Sequence, residues 1–146
     1  LADNIYWEAR NQPTRGMIAV ANVTRNRVNS PHYPDTYCEV IKEGPIRESW
    51  KTRKDPDLPD SERIYFPKRD RCQFSWYCDG KSDKIPKADL NIYELSTAIA
   101  FKIIHGDFYD NTGGSTHYHA DYVSPEWANH MEQTIVIGNH IFYKFP

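Results

Sequence analysis

Two predicted helices lie in the stretch ADNIYWEARNQPTRGMIAVANVTRNRV, residues 2–28. Apolar residues recur at helical spacing in residues 2–10, which predicts a short helix with one apolar stripe. Pro13 ends that helix, because proline disrupts a helix interior but is tolerated at a helix start. A second helix with its own apolar stripe is therefore predicted from Pro13 to Val28.

The remainder of the chain carries fewer and shorter signals. Asp89 is a candidate N-cap for a long helix that runs to His105, and Gly106 is its predicted end. The other predicted elements are a short helix over residues 34–42, a strand over 116–120, and a hairpin of 133–137 and 140–145 around Gly138-Asn139. These elements predict an α+β fold that is helix-rich, with a small antiparallel sheet near the end of the chain.

The length of 146 residues indicates one domain with its own core. Residues 43–71 stand apart, since they are rich in charge and proline and show no sustained period. We interpret them as a surface insertion, either a lid over a cleft or a solvated loop without function. The domain organisation expected is thus a single domain over residues 1–146 that carries this insertion.

Composition excludes some classes of function. The net charge is −2 and no base-reading motif is present, so we expect no nucleic-acid partner. No apolar run reaches the roughly 18 residues of a membrane span. Three cysteines, Cys38, Cys72 and Cys78, predict one bridge and one free thiol; Cys72 and Cys78 are close enough to close a small loop, but spacing alone leaves the pairing open.

Glu8 is the first candidate for catalysis. It lies near the end of the first predicted helix, beside Tyr6 and Trp7. The partial negative charge of a helix C-terminus and the exclusion of water by aromatic rings both raise the pKa of a carboxyl group. A general acid that works near neutral pH needs such a raised pKa. The alternative is a solvated surface glutamate, which is the common role of this residue type at a helix end.

Aromatic and polar side chains alternate in two later segments. Residues 73–77 read QFSWY, a mixture that suits sugars because rings cover the apolar sugar face while polar groups bind hydroxyls; the alternative is a half-buried strand. Residues 116–120 read THYHA, and a strand there places His117 and His119 on one face and Tyr118 on the other. A His-x-His pair can bind a metal, but no third ligand has suitable spacing, so we expect no metal and no cofactor.

These segments, in this order, resemble the SleB/CwlJ family of cell-wall hydrolases, which includes spore-cortex lytic enzymes. The resemblance covers nearly the whole chain outside residues 43–71. The matching runs are IYWEAR at 5–10, GMIAVANV at 16–23, NRV at 26–28, PDTYC at 34–38, VI at 40–41, CQFSW at 72–76, CDG at 78–80, THYHA at 116–120, VSP at 123–125, WA at 127–128 and IGNHIFY at 137–143. Two departures stand out: Asn11-Gln12 replace a frequent Gly-Glu, and the long insertion is unusual. The runs CQFS at 72–75 and HYH at 117–119 look closer to the proteobacterial and phage branch of the family than to the spore-cortex enzymes.

The resemblance implies a lysozyme-like α+β domain with a cleft for glycan strands, and it implies that Glu8 is the catalytic acid. Gln73, Ser75 and Tyr118 are the candidates for orienting the sugar. Phe74, Trp76 and Trp127 are candidate stacking faces, and His119 is a further candidate for the cleft wall. The expected partner is peptidoglycan, bound by a monomer in the periplasm, outside the cell, or at a cell wall reached by phage delivery, as for an endolysin.

The predicted reaction is cleavage between N-acetylmuramic acid and N-acetylglucosamine. Glycosidases usually use two carboxylates, whereas the resemblance supplies only Glu8. We therefore favour a lytic transglycosylase that forms 1,6-anhydro-muramic products. The alternatives are a hydrolytic muramidase that uses Asp79, Asp121 or Glu126 as a second carboxylate, a metal-dependent amidase, and a peptidoglycan-binding module without turnover.

Overall fold

A computed structural model describes all residues, 1–146. Its helices and strands, in chain order, are α1 (Ala2–Ala9), α2 (Thr14–Val28), α3 (Tyr37–Ile41), β1 (Ile46–Glu48), α4 (Trp50–Arg53), β2 (Tyr65–Pro67), α5 (Leu90–Ile104), β3 (His117–Ala120), β4 (Glu132–Ile137) and β5 (His140–Lys144). Short 3₁₀ turns occupy Asp60–Glu62, Ser75–Cys78, Lys87–Asp89 and Glu126–His130. The chain forms two compact units, one of residues 1–41 and 84–146 and the other of residues 42–83. The first unit is called the main unit below.

Three helices, α1, α2 and α5, build the helical part of the main unit. They pack around side chains that are almost fully buried, namely Ile5, Ala9, Met17, Val20, Ala21, Ile99, Ala100 and Ile103. On each helix these positions recur three or four residues apart, so a single stripe faces the common core. The predicted apolar stripes of α1 and α2 are confirmed. No helix of the structure is long and apolar enough to cross a membrane.

Helix ends agree closely with the sequence signals. Pro13 occupies the N-cap of α2, and Gly106 follows the end of α5 with a positive φ of 76°. Asp89 is the N-cap residue of α5, as predicted, but its side chain makes no capping hydrogen bond. Its carboxylate instead accepts a hydrogen bond from the Tyr6 hydroxyl, which joins the start of α5 to α1.

A three-stranded antiparallel sheet, in the order β3-β5-β4, completes the main unit. The predicted hairpin is confirmed, with Gly138-Asn139 as its turn between β4 and β5. Ile137 and Phe142 turn towards α2 and pack on Ala19 and Val23. Tyr118 on β3 packs against this cluster and also against the helical core, so it lies where sheet and helices meet.

A polar loop, residues 107–116, holds β3 in place. The carboxylate of Asp110 accepts hydrogen bonds from the backbone N–H groups of Thr112 and Gly114 and from the side-chain amide of Asn26 on α2. Asn22, one turn earlier on α2, donates to the side chain of Asn111. Because these bonds tie the loop to α2, they fix the position at which β3 begins.

The unit of residues 42–83 contains the segment for which no regular structure was predicted. β1 and β2 form a small antiparallel hairpin, and the Ser49 hydroxyl accepts from the backbone N–H of Lys51 to cap α4. Arg63 binds Glu48 at 2.9 Å, and a disulfide joins Cys72 to Cys78, leaving Cys38 free. The sequence predicted no helix or strand here, because elements of three or four residues are too short to produce a detectable period. Most of its side chains are exposed, as a surface segment requires.

Candidate active site

A cavity of about 420 Å³ opens where the end of α1 meets the sheet of the main unit. Three groups of residues line it: the end of α1 and the loop after it, strand β3 with the residues that follow, and the β4–β5 turn. They are Trp7, Glu8, Arg10, Asn11, Gln12, Tyr118, Ala120, Tyr122, Asn139 and His140. Glu8 is the only carboxylate among them, so any catalysis by a carboxylic acid of the cavity lining depends on that side chain.

Glu8 lies in the last turn of α1 and is only partly exposed. Burial raises the pKa of Glu8 to about 7 from its ordinary value of 4.5, and the smaller effects of Tyr118 and Arg27 lower it. The raised pKa that aromatic neighbours predicted is therefore present, with loss of solvent as its main cause. Near neutral pH the side chain can both give and take a proton, which is the requirement for general acid–base catalysis.

Tyr118 faces Glu8 from β3. Its hydroxyl is buried and has no partner at normal hydrogen-bond geometry, yet it is close enough to Glu8 for each group to affect the pKa of the other. Burial and then the Glu8 charge raise the pKa of Tyr118 well above its usual value, so the phenol stays protonated. It can therefore act as a donor to the Glu8 carboxylate or to a bound oxygen, but not as a base.

Arg27 was missed as a site residue by the sequence reasoning. It is buried on α2, where its Nε donates to the carbonyl of Thr116 at 2.7 Å. Its positive charge lowers the pKa of Glu8 and opposes the effect of burial. The signal was available in the sequence: Arg27 continues the apolar stripe of Val20 and Val23 at helical spacing, and a charged residue in such a stripe has an internal partner or a function.

Two further groups of the cavity wall carry buried polar atoms without a partner. They are Nε1 of Trp7 and Nδ1 of His140. Burial lowers the pKa of His140, Asp121 raises it and His119 lowers it, and the net shift is downward. The imidazole is therefore neutral at neutral pH. Buried polar groups are normally hydrogen-bonded, so these two atoms are available to the hydroxyl or acetamide groups of a sugar in the cavity.

The loop after α1 is fixed to the β4–β5 turn. Oε1 of Gln12 accepts a hydrogen bond from the backbone N–H of Asn139 at 3.0 Å. This bond closes one side of the cavity. Gln12 stands where the family resemblance leads one to expect glutamate, so this chain has a neutral side chain at a place where a second carboxylate would otherwise face the cavity.

His119 and Trp127 lie on the other face of β3. The rings of His117 and His119 both contact Trp127, with centroids 5.2 and 5.7 Å apart, which confirms that the two histidines share a face opposite Tyr118. His119 Nδ1 lies 2.7 Å from the carbonyl of Ala120 and Nε2 lies 2.9 Å from the hydroxyl of Tyr143, so both nitrogens are in use. The structure does not bring His119 or Trp127 to the cavity around Glu8.

The predicted sugar-binding residues of the 73–76 segment belong to the unit of residues 42–83. Gln73 and Ser75 are exposed and Trp76 is partly buried. Phe74 is only 2% exposed, so its ring offers no free face for a sugar, and its proposed stacking role is wrong on that ground. The segment forms a 3₁₀ turn rather than a strand, because the disulfide between Cys72 and Cys78 brings its ends together.

Other candidate groups for catalysis lie outside the cavity lining. Asp121 and Glu126 belong to the main unit and are exposed, and Asp79 belongs to the other unit. No group of three or more His, Cys, Asp or Glu side chains is arranged to hold a metal ion. Within the main unit, the geometry thus describes a cavity with one acid of raised pKa, a phenol donor and two unpartnered polar atoms.

Comparison with known proteins identifies the family to which the chain belongs. A model of the cell wall hydrolase family matches residues 11–143, a range that begins after Glu8. Spore cortex-lytic enzymes of Oceanobacillus iheyensis and Bacillus subtilis are 49% and 46% identical over 43 residues, which is 30% of this chain. The matched segment spans only 16% and 14% of those two proteins.

Solved structures resemble the chain over almost its whole length. The catalytic domain of the germination-specific lytic transglycosylase SleB from Bacillus anthracis matches with a TM-score of 0.64 and 27% identity, over 99% of this chain and 90% of that one. The catalytic domain of the SleB protein from Bacillus cereus matches with a TM-score of 0.63 and 27% identity, over 99% and 86%. The predicted lysozyme-like α+β fold class is confirmed.

Proposed function

Because this chain belongs to the cell wall hydrolase family, we propose that it cleaves the glycan strands of peptidoglycan, with Glu8 as its general acid. The predicted kinship with SleB/CwlJ enzymes is confirmed by the family match and by the SleB structures. The observation that carries the proposal is the cavity in which Glu8 is the only lining carboxylate and has a pKa of about 7. This arrangement supports a lytic transglycosylase over a hydrolase that needs two acids.

The proposed reaction cleaves the bond between N-acetylmuramic acid and N-acetylglucosamine in two proton transfers. Glu8 first gives its proton to the glycosidic oxygen, the bond from that oxygen to the muramic C1 breaks, and the N-acetylglucosamine leaves with a free 4-hydroxyl. The muramic ring then carries oxocarbenium character. The Glu8 carboxylate next takes the proton from the 6-hydroxyl of the same ring, whose oxygen bonds to C1. The product is a 1,6-anhydro sugar, no water is consumed, and Glu8 ends protonated as it began.

The surrounding groups of the main unit fit these steps. Tyr118 stays protonated and can stabilise the Glu8 carboxylate between the two transfers. His140 and Trp7 supply the polar atoms that could hold the muramic ring while its 6-hydroxyl turns towards C1. Gln73, Ser75 and Trp76, in the other unit, stay predicted sugar contacts. His119 and Trp127, on the opposite face of β3, also stay predicted substrate-binding residues.

The biological setting follows from the substrate. A peptidoglycan-cleaving enzyme acts in the periplasm or outside the cell, where its substrate lies. Delivery by a phage, a monomeric state and the lack of a nucleic-acid partner are further parts of the proposal that sequence reasoning supplied. So is the assignment of residues 1–146 to one catalytic domain.

Mass spectrometry of the soluble products from purified peptidoglycan tests the proposal. We expect 1,6-anhydro-muropeptides from the unmodified protein and at least a thousandfold lower yield from Glu8→Gln, which keeps the shape of the side chain but has no acidic proton. Asp121→Asn and Glu126→Gln serve as matched controls, because both carboxylates are exposed and lie outside the cavity lining. If the unmodified protein instead gave products with reducing muramic ends, and one of the two control variants no longer formed them, the enzyme would be a hydrolase with a second carboxylate. Full activity of Glu8→Gln would refute the assignment of the acid.

A further inference from the structure

A second concave surface lies in the unit of residues 42–83, with a volume of about 390 Å³. We call it the basic groove. It is lined by Arg47, Phe66, Pro67, Arg69, Tyr77, Cys78, Gly80 and Lys81. The reaction proposed above uses none of these side chains.

The charged side chains that line the basic groove are all cationic. They are Arg47, Arg69 and Lys81, and no aspartate or glutamate is among the lining residues. The Asp79 carboxylate lies beside the groove, where it accepts a hydrogen bond from the backbone N–H of Lys81 at 2.9 Å. A carboxylate oxygen of Asp70 lies 4.0 Å from Nε of Arg69, with both side chains largely exposed. An exposed pair at that distance contributes little, so Arg69 is available to an external anion. Guanidinium groups bind carboxylates through two parallel hydrogen bonds.

The remaining wall of the groove is apolar. Phe66 and Tyr77 provide rings, Pro67 lies next to Phe66, and Cys78 is held by its disulfide to Cys72. Phe66 is 49% exposed, and it is paired across the hairpin with Arg47. A cation and an exposed ring therefore stand side by side on neighbouring strands, as a ligand with both charged and apolar parts would require.

The local backbone favours this arrangement. Gly80 has a φ of 77°, and a Cβ atom there would lie 2.7 Å from Nη2 of Arg69. Glycine at this position therefore allows the Arg69 guanidinium to lie against the turn. The backbone N–H of Asp70 donates to the carbonyl of Cys78 at 2.9 Å, which ties the two sides of the groove together.

We propose that the basic groove binds a short acidic peptide with small apolar side chains. This inference rests on the proposed function for the identity of the peptide, which is then the stem peptide of peptidoglycan. Its free carboxylates match Arg47, Arg69 and Lys81, and its alanine methyl groups match the rings and the proline. A polyol phosphate polymer of the cell wall would use the cations but not the apolar wall, which favours the peptide.

Calorimetric titration of the full chain with the tetrapeptide alanyl-glutamyl-diaminopimelyl-alanine tests the inference. We expect saturable binding that weakens at least tenfold in the double variant Arg47→Ala with Arg69→Ala. Lys51→Ala is the matched control, since Lys51 is an exposed cation of the same unit outside the groove. The double variant should also cleave intact peptidoglycan more slowly while cleaving peptide-free glycan strands at an unchanged rate.

Two results would overturn the inference. One is absent peptide binding, or equal binding by the double variant and the unmodified protein. The other is tighter binding of a glycerol phosphate oligomer than of the tetrapeptide, which would assign the groove to a phosphate polymer. Because the tetrapeptide has no glycosidic bond, its binding is measured independently of glycan cleavage, so failure of the proposed function is distinguishable from failure of this inference.

Discussion

Oε1 of Gln12 and the backbone N–H of Asn139 form a hydrogen bond of 3.0 Å across 127 positions of sequence. The bond depends on the neighbouring glycine, because a Cβ atom on Gly138 would lie 2.3 Å from Oε1 of Gln12. Gly138 also has a φ of 57°, a conformation that side chains with a Cβ atom rarely adopt. One contact thus joins the loop that follows α1 to the β4–β5 turn.

Gly138→Ala should lower the free energy of unfolding by about 2–4 kcal/mol, from backbone strain together with displacement of Gln12. Gly106→Ala is the matched control, since Gly106 has a φ of 76° but nothing within 4 Å of a Cβ atom, so it should lose only about 1 kcal/mol. Urea unfolding of both variants measures the difference. Equal losses in the two variants would mean that the Gln12 contact adds nothing.

The raised pKa of Glu8 makes a prediction about stability. The folded state holds the Glu8 proton up to a pH of about 7, whereas an unfolded glutamate loses it near 4.5. The folded state thus binds more protons in this window, so the free energy of unfolding falls as pH rises from 4.5 to 7. Below 4.5 the carboxyl group is neutral in both states and carries no penalty.

Glu8→Gln should therefore match the unmodified protein in stability at pH 4 and exceed it at pH 8 by about 2 kcal/mol, a value reduced for the partial exposure of the side chain. Urea unfolding at the two pH values measures this difference, and the comparison between variants cancels the other titrating groups. If Glu8→Gln raised the free energy of unfolding equally at both pH values, burial of the Glu8 carboxylate would not destabilise the folded state.

The sequence predicted the elements that have a long period or a distinctive turn. α2 and α5 each span 15 residues, long enough for a stripe to repeat, and Gly138-Asn139 marks a hairpin through turn chemistry alone. The hairpin of β1 and β2 was missed because each strand has three residues. Its stability comes from contacts such as Arg63 with Glu48 and from the disulfide, which join positions that have no periodic relation.

Only part of the candidate site could be predicted, because some of its residues come together only in the folded chain. Glu8 and Tyr118 were identified because each stands in a motif, but the roles of Gln12, Arg27 and His140 depend on contacts between residues far apart in sequence. His119 belongs to the same motif as Tyr118, yet the alternation of a strand sends it to the opposite face. Motif membership therefore identified the strand, and only the fold distinguished which of its side chains reaches the cavity.

Tyr118→Phe should change the pH dependence of cleavage. The Tyr118 hydroxyl lowers the pKa of Glu8, so its removal raises that pKa. Since the proposed reaction begins with Glu8 protonated, the rate should fall as pH rises through this pKa. We expect the alkaline limb of kcat/KM to move to higher pH in the variant. Tyr143→Phe, which removes a hydroxyl on the opposite face of the sheet, should leave the limb in place; a shift in both variants, or in neither, would contradict the pairing of Tyr118 with Glu8.

The contact between the Tyr6 hydroxyl and the Asp89 carboxylate should contribute to the docking of α1 on α5. Burial raises the pKa of Tyr6, and the hydrogen bond to Asp89 raises it further, so the phenol remains a donor. A hydrogen bond to a charged acceptor contributes about 1.5–3 kcal/mol. Tyr6→Phe and Asp89→Ala should each lower the free energy of unfolding by about 1–2 kcal/mol, and the double variant should lower it by clearly less than the sum of the two. Urea unfolding of the three variants measures this double-mutant cycle.

The control is the same double-mutant cycle on Tyr93 and Asp3, an exposed pair between the same two helices. It should give a coupling energy below about 1 kcal/mol. Additive losses for Tyr6 and Asp89 would show that the two side chains act independently, and their hydrogen bond would then contribute nothing to the docking of α1 on α5.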